Sequence, residues 1–473
     1  MEKPLFNRKY LLGFSMVVLF YHLVMTLIPW FVYSWPMFIA DYVLLGLAAG
    51  SWLLYFGWAK GDTGPAGTVG RRGQWAGIPR PPRPSVPGGP LVLVGFLVWL
   101  VVSCVAMMIT WDNDWVGYNF IPTMASPTAP GFNAAVTILF VFPLGIALIR
   151  EREGAILKLG KALMHGFLLG WTVWIAVVLF TVMQGGTLQS SGGGNIGMMN
   201  GTLEMNCNQN ITGSWEMTFF LLCCFMALWC KKVPWKCVYG LAAVLHYFAL
   251  ILSDSRASIF AALPGFMALA GIAVFLKLKK KKTLHRILWA LLSALIAGVA
   301  FFYLRRAVFA IYHACLSQPG GYTGTEFLSG SGAYHLSGRE EVWEASVKGI
   351  FSNAHTMIFG VTPKSTGDLI AQASDGAVVV SYTHNEFLEI AAAMGLPGLA
   401  IFLVWLGIAV RDSWRMYFIR KEWTLMMCLP VVFAALLAAN MMEAHLIFCE
   451  HLNGYVFFLV GGMIYGNGKA RKA

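Results

Sequence analysis

The chain has 473 residues, of which 58% are hydrophobic and 12% charged, and its mean hydropathy is +0.66. A soluble domain carries about 25% charged residues, so this composition excludes one and predicts an all-α polytopic membrane protein. In a soluble chain the net charge of +12 would suggest nucleic acid as a partner; in a membrane chain it reports topology first, and no nucleic-acid partner is expected.

Met1 to Tyr10 is basic, and the apolar run at 11–30 has spanning length with no small-residue cleavage site behind it, so it is expected to stay as the first span. Further apolar stretches at 35–58, 91–111, 131–149, 163–183, 217–230, 237–252, 258–276, 287–304, 395–410, 424–441 and 453–466 bring the prediction to about twelve transmembrane helices. With the N-terminus in the cytoplasm, 28 of the 34 Lys and Arg lie on inner segments. Only Arg256, Arg305, Arg306, Arg339, Lys348 and Lys364 fall outside, and the positive-inside rule supports that direction. Segment 1–304 then holds nine spans, with a flexible Gly- and Pro-rich cytoplasmic loop at 61–90. Segment 305–394 is a large external loop containing short helices, with Arg305 and Arg306 at its start near lipid headgroups; 395–473 holds three spans and a cytoplasmic tail.

Asp41 is the only acid expected inside a span. An external loop at 184–216 carries the sequon Asn210-Ile211-Thr212. Of the cysteines, Cys207, Cys315 and Cys449 are external, enough for one bridge but no framework. No Cys/His spacing or paired aspartates suggest a metal site, so neither metal nor cofactor is expected.

Chemistry concentrates in three external motifs. Ser253-Asp254-Ser255-Arg256 places an arginine on the side where positive charge is disfavoured, with Asp254 and Ser255 beside it to orient it toward a ligand. In Ser337-Gly338-Arg339-Glu340, Ser337 and Glu340 form a capping box that sets Arg339 in a first helical turn. Trp343, Val347, Ile350 and Phe351 follow at helical spacing as an apolar face. Thr383 and Glu386 form another capping box, with His384 in the first turn, where the positive helix end disfavours a charged imidazole. Two arginines and a histidine on one side of a membrane can hold a diphosphate and activate a hydroxyl.

These motifs, with Ile358-Phe359-Gly360 and the run from Thr383-His384-Asn385 to Gly395-Leu396-Pro397-Gly398, resemble the O-antigen ligase and O-antigen polymerase superfamily over roughly Cys237 to Val410. The resemblance implies a GT-C-like helical bundle in the cytoplasmic (inner) membrane with its active site facing the periplasm or outside. It implies a metal-independent inverting glycosyltransferase that moves a glycan from undecaprenyl pyrophosphate to a lipid-linked or lipid A-core-like acceptor. Position by position, it implies that Arg256 and Arg339 hold the pyrophosphate and that His384 is catalytic. Asp254, Ser255, Ser337, Trp343, Asn385 and Glu386 are then supporting residues. A polymerase of the same superfamily would differ in its acceptor. A polysaccharide flippase or transporter is the alternative from another class, against which the chain shows no internal repeat.

Overall fold

The computed structural model describes residues 8–27, 43–44, 47–48, 88–110, 130–150, 155–189, 195–199, 202–205, 207–316, 338–419, 425–448 and 452–469. Most of the expected second span with Asp41, most of the expected loop at 61–90, Ser337 and Cys449 lie outside these residues. The first half runs through α1 (Arg8–Leu27), α2 (Gly88–Thr110), α3 (Pro130–Val136), a π-turn (Thr137–Val141), α4 (Phe142–Arg150) and α5 (Ala155–Met183). Next come α6 (Gln209–Trp229), α7 (Val233–Leu252), α8 (Arg256–Lys277) and α9 (Thr283–Leu316). Short helices α10 (Arg339–Ile350), α11 (Ala354–Phe359) and α12 (Thr366–Ala373) precede α13 (Glu386–Trp414), α14 (Cys428–Asn440) and α15 (Leu452–Lys469). Seven of the described helices are long and apolar enough to cross a membrane: α2, α5, α6, α7, α8, α9 and α13. In hydrocarbon a helix satisfies its own backbone, which is why such apolar runs take this form.

Three expectations about the spans and the loops between them change. The chain is not purely helical: β1 (Leu188–Gln189), β2 (Asn195–Met199) and β3 (Thr202–Met205) form an antiparallel sheet in the order β1-β2-β3. Ile196, Leu203 and Met205 bury its inner face on the bundle. Glu216, expected at the end of that loop, lies inside the bundle on α6 and is fully buried. Its carboxylate accepts from Trp171 Nε1 at 2.9 Å and pairs with His246 Nδ1 at 2.7 Å, while His246 Nε2 meets Thr172 Oγ1 at 3.0 Å, tying α5, α6 and α7 together. Finally, the ninth expected span does not stop at residue 304. Helix α9 continues to Leu316, and Arg305, buried within it, reaches Asp254 at 3.9 Å rather than lying among headgroups.

The break in α13 positions everything that follows. Gly395 adopts φ 70° and ψ 179°, and Pro397 has no N–H to give the carbonyl four residues back. The carbonyls this exposes are bonded from outside the helix. Val361 N donates to Ala392 O at 2.8 Å, Thr362 N to Ala393 O at 3.0 Å, and Trp99 Nε1 to Met394 O at 2.8 Å. Gly360, at φ 72° and ψ −161°, lets the 358–360 strand of chain come this close. A Cβ on Gly360 would sit 2.4 Å from Ala393 C, and one on Gly395 2.1 Å from Ile358 O. Residues 386–394 thus form a separate helical segment clamped by α10, α11 and α12.

Both glycines occupy a region of backbone space that costs other residues about 1–3 kcal/mol. Gly360→Ala and Gly395→Ala are each expected to lower the thermal midpoint in detergent by several degrees. An unchanged midpoint would show that the clamp yields to a methyl group.

Helix α10 buries a different face from the expected one. Val342, Ala345, Ser346, Gly349 and Ile350 are buried, whereas Val347 and Phe351 are exposed. The small residues decide the rotation: at Gly349 a Cβ would lie 2.7 Å from Leu369 Cγ, so α10 meets α12 along its smallest side chains. Trp343 packs at the edge of the cluster made by Val342, Ala345 and Ile370.

Candidate functional site

Helices α6, α8, α10 and the chain before α13 converge at one end of the bundle around a cavity of about 720 Å³. It is lined by Arg256, Arg339 and His384 together with Asp254, Glu341, Gln209 and Asn210, and the 377–380 segment forms an apolar side. The turns joining α6 to α7 and α8 to α9, which carry Lys231, Lys232 and Lys279 to Lys282, lie at the other end of these helices.

His384 precedes its helix rather than starting it. The cap of α13 is Asn385, whose Oδ1 accepts from Phe387 N at 3.0 Å and Leu388 N at 3.1 Å. Thr383 is not the cap: its hydroxyl donates to Asn385 O at 2.9 Å and accepts from Asn385 N at 3.4 Å, and its N–H donates to Glu389 Oε2 at 2.9 Å. Glu389 in turn accepts from Thr366 Oγ1 at 2.8 Å. Between these two fixed neighbours His384 is held at φ 53°, a left-handed conformation in which His is tolerated more than most residues. Asp254, on the same cavity, has φ 49°. Such strain persists only where the surroundings over-determine it.

Glu443 is one of the residues to which sequence reasoning gave no role, with Asp41, His445 and Glu450. It lies after α14, its side chain is 3% exposed, and its two oxygens serve both charged motifs. Oε1 pairs with the Arg339 guanidinium, and Oε2 meets His384 Nδ1 at 3.0 Å. Tyr382 OH also donates to Oε2, at 3.3 Å, and its ring lies 4.2 Å from that of His384. A buried carboxylate is costly unless paired, so Arg339 and Glu443 hold each other in place. The nearest charged partner of His384 is therefore this carboxylate, not a helix end. Nδ1 is the ring nitrogen engaged by Glu443, which leaves Nε2 as the one to meet a substrate.

The loop bearing Glu443 is positioned from α13. Asn385 Nδ2 donates to Met441 O at 2.9 Å, and the buried Glu386 accepts from Leu446 N at 2.9 Å. Asn385 and Glu386 thus support the site through the Glu443 loop. Asn440 Oδ1 accepts from His445 N at 2.9 Å at the loop's other end.

The remaining motif residues fall as follows. Arg256 begins α8 and Arg339 begins α10, both on the cavity, and the cap of α10 is Gly338 at φ 78°. Ser255 is buried and turns to Ser258 Oγ at 2.9 Å instead of toward Arg256, so its contribution is to the turn. Asp254 faces the cavity and is backed by Arg305. Cys207 and Cys315 are free thiols.

No curated protein matches the chain. The family model described as O-antigen ligase matches residues 241–403, a stretch that holds Arg256, Arg339 and His384 but neither Glu443 nor Gln209. The match supports, for this part of the membrane protein, the resemblance to the O-antigen ligase superfamily that its motifs carry.

Proposed function

We propose that the chain is a GT-C-like, metal-independent, inverting glycosyltransferase that moves a glycan from undecaprenyl pyrophosphate to an acceptor hydroxyl. The observation that carries this reading is the single carboxylate of Glu443 joining Arg339 to His384 on a cavity that Arg256 also lines. An anion held by Arg256 and Arg339 would lie beside the imidazole. In the proposed step the acceptor oxygen attacks the anomeric carbon and its proton passes to His384 Nε2. The bond from that carbon to the pyrophosphate oxygen breaks, and the electron pair leaves with undecaprenyl pyrophosphate. The arginines matter most as this charge accumulates. Glu443 keeps the imidazole oriented and faces the imidazolium that forms.

The distribution of charge supports an outward-facing site. The lysine-rich turns lie at the end of the bundle opposite the cavity, and such turns favour the cytoplasmic side. A cavity on the periplasmic side of the inner membrane would meet lipid-linked glycan there.

The test is purified protein given undecaprenyl-pyrophosphate glycan alone and then with a lipid A-core acceptor. Movement of glycan to that acceptor is the expected result. Lengthening on the carrier would make the enzyme a polymerase of the same superfamily. Unchanged glycan, with the carrier moved across a vesicle membrane, would overturn the transferase reading in favour of transport.

A further inference from the structure

We propose that Gln209 and Asn210 form a saccharide subsite that holds the donor's proximal sugar, the one joined to pyrophosphate. The proposal rests on the assignment of Arg256 and Arg339 to that pyrophosphate. Both side chains are half-buried on the cavity shared by the arginines and His384, and none of the described residues hydrogen-bonds either carboxamide. A carboxamide both donates and accepts, which suits sugar hydroxyls and acetamido groups, and adds no charge to compete with the arginines for phosphate.

Their position is built rather than incidental. Gln209 and Gly213 share a face of α6 at i and i+4. A Cβ on Gly213 would lie 2.3 Å from Ser255 Cβ and 2.6 Å from Ser253 Oγ, so this face is pressed against the turn that delivers Arg256. Asn208 Oδ1 caps the helix by accepting from Ile211 N at 3.0 Å. Thr212 Oγ1 accepts from Met205 N at 3.1 Å and fixes β3, whose Thr202 also lines the cavity, to α6. The backbone positions that carry the two carboxamides are therefore fixed beside the anion site. The same contacts argue against glycosylation of the sequon, since Thr212 is fully buried.

The experiment measures binding of two probes to protein in nanodiscs: undecaprenyl pyrophosphate and undecaprenyl-pyrophosphate N-acetylglucosamine. Wild-type protein is expected to favour the sugar-bearing probe by about 5- to 150-fold, the worth of two hydrogen bonds. Gln209→Ala/Asn210→Ala should lose that preference with affinity for the bare carrier unchanged. Each single variant should lose part of it, which keeps the test available if the double variant does not fold. A preference retained in these variants, or absent from wild type, overturns the subsite. Failure of wild type to bind the bare carrier overturns the pyrophosphate assignment itself. Arg256→Ala, by contrast, should weaken both probes alike.

Discussion

His384→Ala is expected to lower the transfer rate by about 10²–10⁴-fold, the range for loss of a general base, with donor binding nearly unchanged. The reason is geometric. With Nδ1 at 3.0 Å from Glu443 Oε2, the ring's second nitrogen is the one available to a hydroxyl. Thr383 and Asn385 are both pinned by hydrogen bonds, so removing the imidazole leaves the backbone that carries it in place. Glu443→Gln separates positioning from chemistry. It keeps shape and one acceptor oxygen, so it should lower kcat with little change in KM and alter the pH profile of transfer. A His384→Ala enzyme turning over at the wild-type rate would remove the histidine from catalysis.

For Arg339→Ala the expected loss is about 10²–10³ in kcat, comparable to removing a donor that stabilises developing charge. This variant also strips the guanidinium from a carboxylate only 3% exposed, and an orphaned buried charge costs about 3–5 kcal/mol. Stability and rate can be told apart with Arg339→Ala/Glu443→Gln, which removes both charges. That double variant should recover much of the thermal midpoint and none of the rate. Recovery of rate along with stability would make Arg339 a structural partner of Glu443 and leave Arg256 as the principal pyrophosphate ligand. Arg339→Lys should fall between, since an ammonium keeps the charge but not the planar fork that can serve carboxylate and phosphate together.

Local physics made much of the protein legible in its residues. Apolar runs reveal helices because a membrane-buried backbone must bond to itself, and the sixth and seventh expected spans are two helices, broken between Trp229 and Val233. Arg256, Arg339 and His384 could be singled out because each sits where a span or helix starts among residues that favour turns and caps. The capping details were less secure. Thr383 and Asn385 are both good caps by composition, and the fold gives the role to Asn385, with the Thr383 hydroxyl bonded to the Asn385 backbone and its N–H to Glu389.

By itself the sequence determined a polytopic helical protein, its basic and non-basic ends, and the motifs that resemble those of the O-antigen ligases. Tertiary structure alone decided that Glu443, 104 residues from Arg339 and 59 from His384, serves both. It also decided which face of α10 is buried, how the broken α13 satisfies its carbonyls, and that α6 brings two carboxamides to the same cavity. Hydropathy and caps act within a few residues of chain, whereas these pairings arise when separate segments pack and a buried charge or carbonyl must take whatever partner that packing supplies.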